Sequence, residues 1–162
     1  MAADQFFEEE GSRVLTPSAF EFVLDGELRR AIRSQSFLTL VVLETHRQWE
    51  GFEMTADDGT VDQVASVVGR EVRDTDLIGR TGKGTLSLVL LDADFDSSTR
   101  VIDRLVSRID HYDFPTPLRI SVGAACYPTH AVDADSLKRQ AISRPVVSCR
   151  GGAQPRTSTS RN

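Results

Sequence analysis

The 162-residue chain has no asparagine before its last residue, Asn162, and only two cysteines, Cys126 and Cys149. Two cysteines supply neither a disulfide framework nor a zinc site. No apolar stretch exceeds four or five residues, Leu40–Leu43 being typical. A bilayer-spanning helix needs about 20, so no membrane insertion is expected. A positive excess is lacking too: 19 Lys+Arg face 24 Asp+Glu, for a net charge of −5. Nucleic-acid-binding domains carry the opposite balance, and none is expected here. The first residues, Met-Ala-Ala-Asp-Gln-Phe-Phe-Glu-Glu-Glu, are acidic where a secretion signal is basic. These absences together point to a reducing cytoplasm. What is present is 40% hydrophobic and 27% charged residues, enough to build a core in one domain and too apolar for a disordered chain.

Residues 1–12 read as an acidic, loosely held arm, and residues 13–143 as the domain. Thr16-Pro17 opens a helix, with a hydroxyl at the cap and proline where its missing N–H costs nothing. Phe20, Leu24, Leu28 and Ile32 follow at a spacing of four, one apolar stripe. Phe37–Leu43 predicts a strand covered on both faces. From Glu44 to Gly59 no period holds, which predicts a loop or a short irregular helix. Thr60–Val72 is helical, with Val61, Val64, Val68 and Val72 stacked. Asp76–Thr81 and Thr85–Leu91 predict two strands of a hairpin turning at Gly82-Lys83-Gly84. Ser97 or Ser98 caps the next helix, which buries Val101, Leu105 and Ile109. Leu118–Cys126 is a strand and Asp133–Ser143 a last helix. Arg144–Asn162 carries two prolines, two glycines, four arginines and no acid, and reads as a disordered basic tail. This order predicts an α/β (α+β) sandwich, a mixed and mostly antiparallel central sheet flanked by helices, with Phe37–Leu43 and Leu118–Cys126 as buried neighbours.

From Leu15 to Arg144 the chain resembles the GGDEF family, the diguanylate cyclase domain. Leu15-Thr16 is similar to the family's opening Leu-Thr, and Leu38–Glu44 to its strand ending in a metal-binding Asp. Arg73–Gly82 resembles the run into the central hairpin. Ile120–Pro128 resembles the family's SIGVA-x-YP strand, the most specific match. The resemblance implies a nucleotidyl-cyclase palm-like fold and a place in bacterial cyclic di-GMP signalling.

The name-giving motif departs from the family. Gly82-Lys83-Gly84-Thr85-Leu86 stands where the family has Gly-Gly-Asp/Glu-Glu-Phe. Joining two GTP molecules needs triphosphate charge neutralised by Mg²⁺ on carboxylate oxygens. Gly84 and Thr85 carry none, and Lys83 adds a positive charge. Glu44, at the first-strand Asp position, is the only remaining ligand, and one carboxylate is a poor Mg²⁺ site. The family reads guanine with an Asn and an Asp from the segment after the first strand. Asp58 stands for that Asp, and the Asn is missing. The resemblance, with these departures, implies a catalytically inactive domain that needs no cofactor or metal.

The family's Arg-x-x-Asp, which binds cyclic di-GMP five residues before the motif, is retained as Arg73-Asp74-Thr75-Asp76. An Arg fork grips phosphate or a guanine acceptor edge, and an Asp accepts from guanine N–H groups. Arg100, Arg104 and Arg108 share one face of the next helix, and Arg104 fits an assisting role by spacing. Each feature also has a plainer reading. Arg73–Asp76 suits a surface salt bridge, and Glu44 a strand-end carboxylate. His46 and Trp49 can contact a partner or plug the top of the sheet. Asp92-Ala93-Asp94-Phe95-Asp96 echoes a calcium loop but lacks the central Gly, so it reads as a helix-capping loop. The expected function is a cyclic di-GMP receptor acting through Arg73, Asp76 and Arg104. The alternative is a nucleotide-independent module that binds a protein partner. Pairing of two copies is compatible with either.

Overall fold

The computed structural model describes residues 5–151, in the order β1 (Val14–Leu15), α1 (Pro17–Ser34), β2 (Leu38–Trp49), β3 (Phe52–Thr55), α2 (Asp58–Gly69), β4 (Leu77–Gly82), β5 (Thr85–Leu91), α3 (Phe95–His111), β6 (Leu118–Tyr127), α4 (Ala134–Ser143) and β7 (Pro145–Gly151). The strands form one mixed sheet in the order β1-β4-β5-β2-β6-β7, with β3 added to the far end of β2. β1 runs parallel to β4 and every other pair is antiparallel.

β2 sits at the centre because both of its faces are apolar. Leu38, Leu40 and Val42 pack under α1 and α4. Val41 and Leu43 point the other way, into the core beneath α2 and α3. That two-sided burial explains the apolar run, which only the buried Thr39 interrupts. β6 lies beside β2 in register from Leu38↔Tyr127 to Arg47↔Leu118, so the two strands are buried neighbours as expected. Phe37 falls just outside the strand and is half exposed.

The helical stripes need small corrections. On α1 the stripe runs Phe20, Leu24, Leu28, then Ala31, while Ile32 is 46% exposed. Steps of four overshoot a turn by about 40° each, so a step of three restores the face. α2 ends at Gly69, and Val72 is buried from the turn that follows. α3 buries Ile102, Leu105 and Ile109, with Val101 only partly covered. Its cap is Asp94, which accepts from Ser97 N–H at 2.8 Å, so the expected cap Ser97 is the capped residue.

Three segments differ more. Residues 44–59 hold no irregular helix. β2 continues to Trp49, turns through Glu50 and Gly51 at φ 45° and 83°, and returns as β3. Two successive positive φ values are the two-residue hairpin geometry that matches strand twist. The segment after Arg144 is not a tail through Gly151. It forms edge strand β7 on β6, with Cys149 facing the core and Pro145 at the first position, where a missing N–H is tolerated. The expected disorder of residues 152–162 lies outside the described residues. The acidic arm also docks from residue 5 onward: Thr16 N–H donates to Phe6 C=O at 2.9 Å, and Glu8 N–H to Val14 C=O at 2.8 Å.

Candidate functional site

Between the end of α2 and the start of β4 the chain makes a tight turn, with Asp76 N–H donating to Arg73 C=O at 3.0 Å. Arg73 and Asp76 are therefore on a turn rather than on a helix. Arg73 Nη2 reaches Asp76 Oδ1 at 3.1 Å and Nε reaches Oδ2 at 3.3 Å. Asp76 is buried, at 5% exposure. Its remaining lone pairs accept from Arg73 N–H and Leu91 N–H, each at 3.1 Å. A carboxylate with four such partners is spent on holding its neighbours. The Arg73 side chain is 59% exposed. It also donates from Nη2 to Leu91 C=O, and its Nη1 meets no partner among the described residues.

Across a cavity of about 250 Å³ lies α3. Arg73, Asp76 and Arg104 all line this cavity, with Glu71, Asp92 and Ser97. Arg104 Nη2 donates to Glu71 C=O at 3.1 Å, and Arg108 Nε meets the Glu71 carboxylate at 2.8 Å. Glu71 thus fixes both arginines on its side of the cavity. Arg108 does not line it, and neither does Arg100. Asp92, exposed and at φ 55°, presents a carboxylate at the rim. Two guanidinium groups and a rim carboxylate can together meet an anionic, N–H-bearing ligand.

The degenerate motif is arranged differently. Gly82 ends β4, Lys83 and Gly84 form the turn, and Thr85 and Leu86 begin β5, with Leu86 buried. Gly84 has φ 69°. A Cβ there would lie 2.5 Å from Thr55 Cγ2 and 3.1 Å from Thr45 C=O. The β2–β3 hairpin therefore fills the space a turn carboxylate would need. Glu44 stands opposite Thr85 and Ser121 in the sheet and is exposed, on the face covered by α1 and α4. It lines a second cavity, of about 200 Å³, with Glu21, Thr85 and Lys138. Asp58 is elsewhere. Arg80 Nη1 holds it at 3.0 Å, and Arg80 pairs in register with Leu86, on the face covered by α2. The structure does not bring Glu44 and Asp58 together. No three His, Cys, Asp or Glu side chains cluster as cation ligands among the described residues. The carboxylates present do not fit the Mg²⁺ the resemblance implies.

His46 and Trp49 sit on the hairpin. Trp49, Phe52 and Met54 are 56%, 71% and 48% exposed. The register Trp49↔Phe52 and Arg47↔Met54 puts them on one side. On the other side the hydrogen bond from Arg119 holds the Glu53 carboxyl below its usual range. Trp49 plugs nothing; it projects. Burial pushes the core thiol of Cys149 up to about 12. Two residues here carry no signal that sequence patterning picks out, Glu71 in the cavity wall and Arg13 behind the turn, and Asp92 reads in the sequence only as part of a helix-capping loop. Arg13 reaches the turn from just before β1 and becomes visible only when the strands pair.

No family model matches the sequence, and no curated protein matches it. Solved structures do. A DGC protein from Thermotoga maritima superposes with a TM-score of 0.69 at 15% identity, over 83% of this chain and 97% of that one. The GGDEF domain of TpbB (YfiN) from Pseudomonas aeruginosa gives 0.66 at 20% identity, over 80% of each chain. The GGDEF domain of DgcB from Caulobacter crescentus, solved in complex with c-di-GMP, gives 0.67 at 16% identity, over 88% and 89%. The likeness is one of fold: this chain has the mixed α/β fold of GGDEF domains.

Proposed function

We propose that this chain is a non-catalytic GGDEF-like domain that serves as a cyclic di-GMP receptor. The observation that carries the reading is the single cavity lined by Arg73, Asp76 and Arg104, three residues that lie 31 positions apart in sequence at the extremes. Arg73 and Arg104 grip phosphate and the guanine acceptor edge with planar forks. Asp76, fully engaged, orients Arg73 instead of accepting from guanine. The acceptor for guanine N–H groups is Asp92. At about 250 Å³ the cavity is smaller than the roughly 300–1,000 Å³ that enclose a drug-sized ligand. One half of the dinucleotide enters and the other half stays accessible to a second copy of the chain.

The absence of catalysis rests on Gly84 and Thr85, which carry no carboxylate, and on the missing Asn. The test is calorimetry with cyclic di-GMP beside an assay for its synthesis from GTP and Mg²⁺. Binding without synthesis, weakened ten- to a hundredfold in Arg73→Ala, supports the reading. That range is one charge-assisted hydrogen bond of about 1.5–3 kcal/mol. Synthesis abolished by Glu44→Ala, or no binding at millimolar ligand, overturns it. A second reading, a nucleotide-independent interaction module, is favoured by the exposed Trp49, Phe52 and Met54 of the hairpin.

A further inference from the structure

Arg13 immediately precedes β1, and its guanidinium reaches away from that strand to the turn that carries Arg73 and Asp76. Nη1 donates to Gly69 C=O at 3.1 Å. Nη2 donates to Arg73 C=O at 2.7 Å and to Asp76 C=O at 2.8 Å. The first of these carbonyls belongs to the last residue of α2, where helical acceptors lose their intrahelical partners and the helix dipole favours a cation. The other two belong to the site residues themselves. Among the described residues no carboxylate pairs with Arg13, so its charge and its donors are directed at these three carbonyls. A lysine ammonium is a point donor and cannot reproduce a planar fork across them.

The position of Arg13 depends on the strand it leads into. Val14 and Leu15 pair parallel with Ile78 and Gly79 of β4, two to three residues after Asp76. Residues 6–8 fold back over β1 through the Thr16–Phe6 and Glu8–Val14 hydrogen bonds. Docking of the N-terminal segment and closure of the Arg73–Asp76 turn therefore share one side chain.

We infer that Arg13 is a positioning residue that couples docking of the N-terminal strand to the shape of the Arg73–Asp76 site. This rests on the receptor reading for its ligand, but the clamp itself is a property of the ligand-free chain. Coupling is reciprocal: a ligand that needs the ordered turn also stabilises docking of the segment, and a force that lifts the segment releases the ligand.

Hydrogen exchange on the full chain tests this, with Arg13→Ala and Arg13→Lys beside the wild type. The amides of Arg73, Asp76 and Leu91 are expected to exchange about tenfold faster in Arg13→Ala, with amides of β2 and β6 unchanged and Arg13→Lys nearer to Ala than to wild type. Affinity for cyclic di-GMP falls about tenfold in both variants. Saturating ligand slows exchange at Glu8 and Thr16 in the wild type and not in Arg13→Ala. Turn amides unchanged in Arg13→Ala, or turn and core amides rising together in both variants, overturn the inference. A wild type that binds no cyclic di-GMP refutes the receptor reading alone, and the exchange rates still decide the clamp.

Discussion

Placing the family's carboxylate in the turn, by Gly84→Asp, is expected to damage the fold and restore no chemistry. Gly84 has φ 69°, a left-handed conformation that costs an L-residue about 1–2 kcal/mol. The new Cβ would start 2.5 Å from Thr55 Cγ2 and 3.1 Å from Thr45 C=O. Relieving that overlap moves the β2–β3 hairpin, at a cost typical of overpacking, about 1–3 kcal/mol. The shift also strains the 2.8 Å bond from Thr45 N–H to Gly84 C=O. The sum is about 2–5 kcal/mol. At about 2–4 °C per kcal/mol for a domain of this size, Tm falls by roughly 4–20 °C. Thermal denaturation by circular dichroism reads the shift, and mass spectrometry reads any cyclic di-GMP formed from GTP with Mg²⁺. A variant that melts with the wild type would show that the hairpin does not occupy this ground. One that also makes product would show that the missing carboxylate was the only defect.

Arg104→Ala should weaken cyclic di-GMP binding about tenfold by calorimetry, whereas Arg108→Ala should change it little, because Arg108 does not line the cavity. Equal losses would contradict the geometry. His130 Nδ1 accepts from Cys126 N–H at 2.9 Å and so needs a neutral ring; burial, then the Arg144 charge, lower its pKa from the ordinary 6.5. A lowered pKa makes this contribution complete above about pH 6.5 and lost as pH falls through the folded value. Urea midpoints at pH 7.5 and pH 5 should therefore drop further in the wild type than in His130→Gln, and equal drops would count against it. Trp49 is the only tryptophan and 56% exposed, so acrylamide should quench native fluorescence nearly as well as that of the unfolded chain. Strong protection would mean that the hairpin is packed down or covered.

The central strands were legible because two-sided burial leaves a nearly continuous apolar run, as in Leu38–Leu43, where Thr39 alone is polar. Helix starts were legible where a cap precedes a periodic stretch, as at Thr16. The β2–β3 hairpin was hidden because its outer residues, Arg47, Trp49, Phe52 and Met54, are not a polar face, so no alternation shows. The signal available was Glu50-Gly51 between two strand-forming aromatics. β7 was hidden for the opposite reason: an edge strand with one buried thiol looks like a polar tail. Arg73 and Asp76 were placed by the resemblance and Arg104 by helical spacing, and they share one cavity. The inward role of Asp76 was not visible, because its partners Leu91 N–H and Arg73 N–H are backbone groups that sequence spacing does not reveal.

The most direct test is a titration of ¹⁵N-labelled chain with cyclic di-GMP, followed by nuclear magnetic resonance. The account predicts saturable shifts confined to Glu71–Asp76, Leu91–Ser97 and the α3 turn around Arg104, absent in Arg73→Ala. Shifts centred instead on Glu44, Thr85 and Lys138, or no shifts at millimolar ligand, would contradict it.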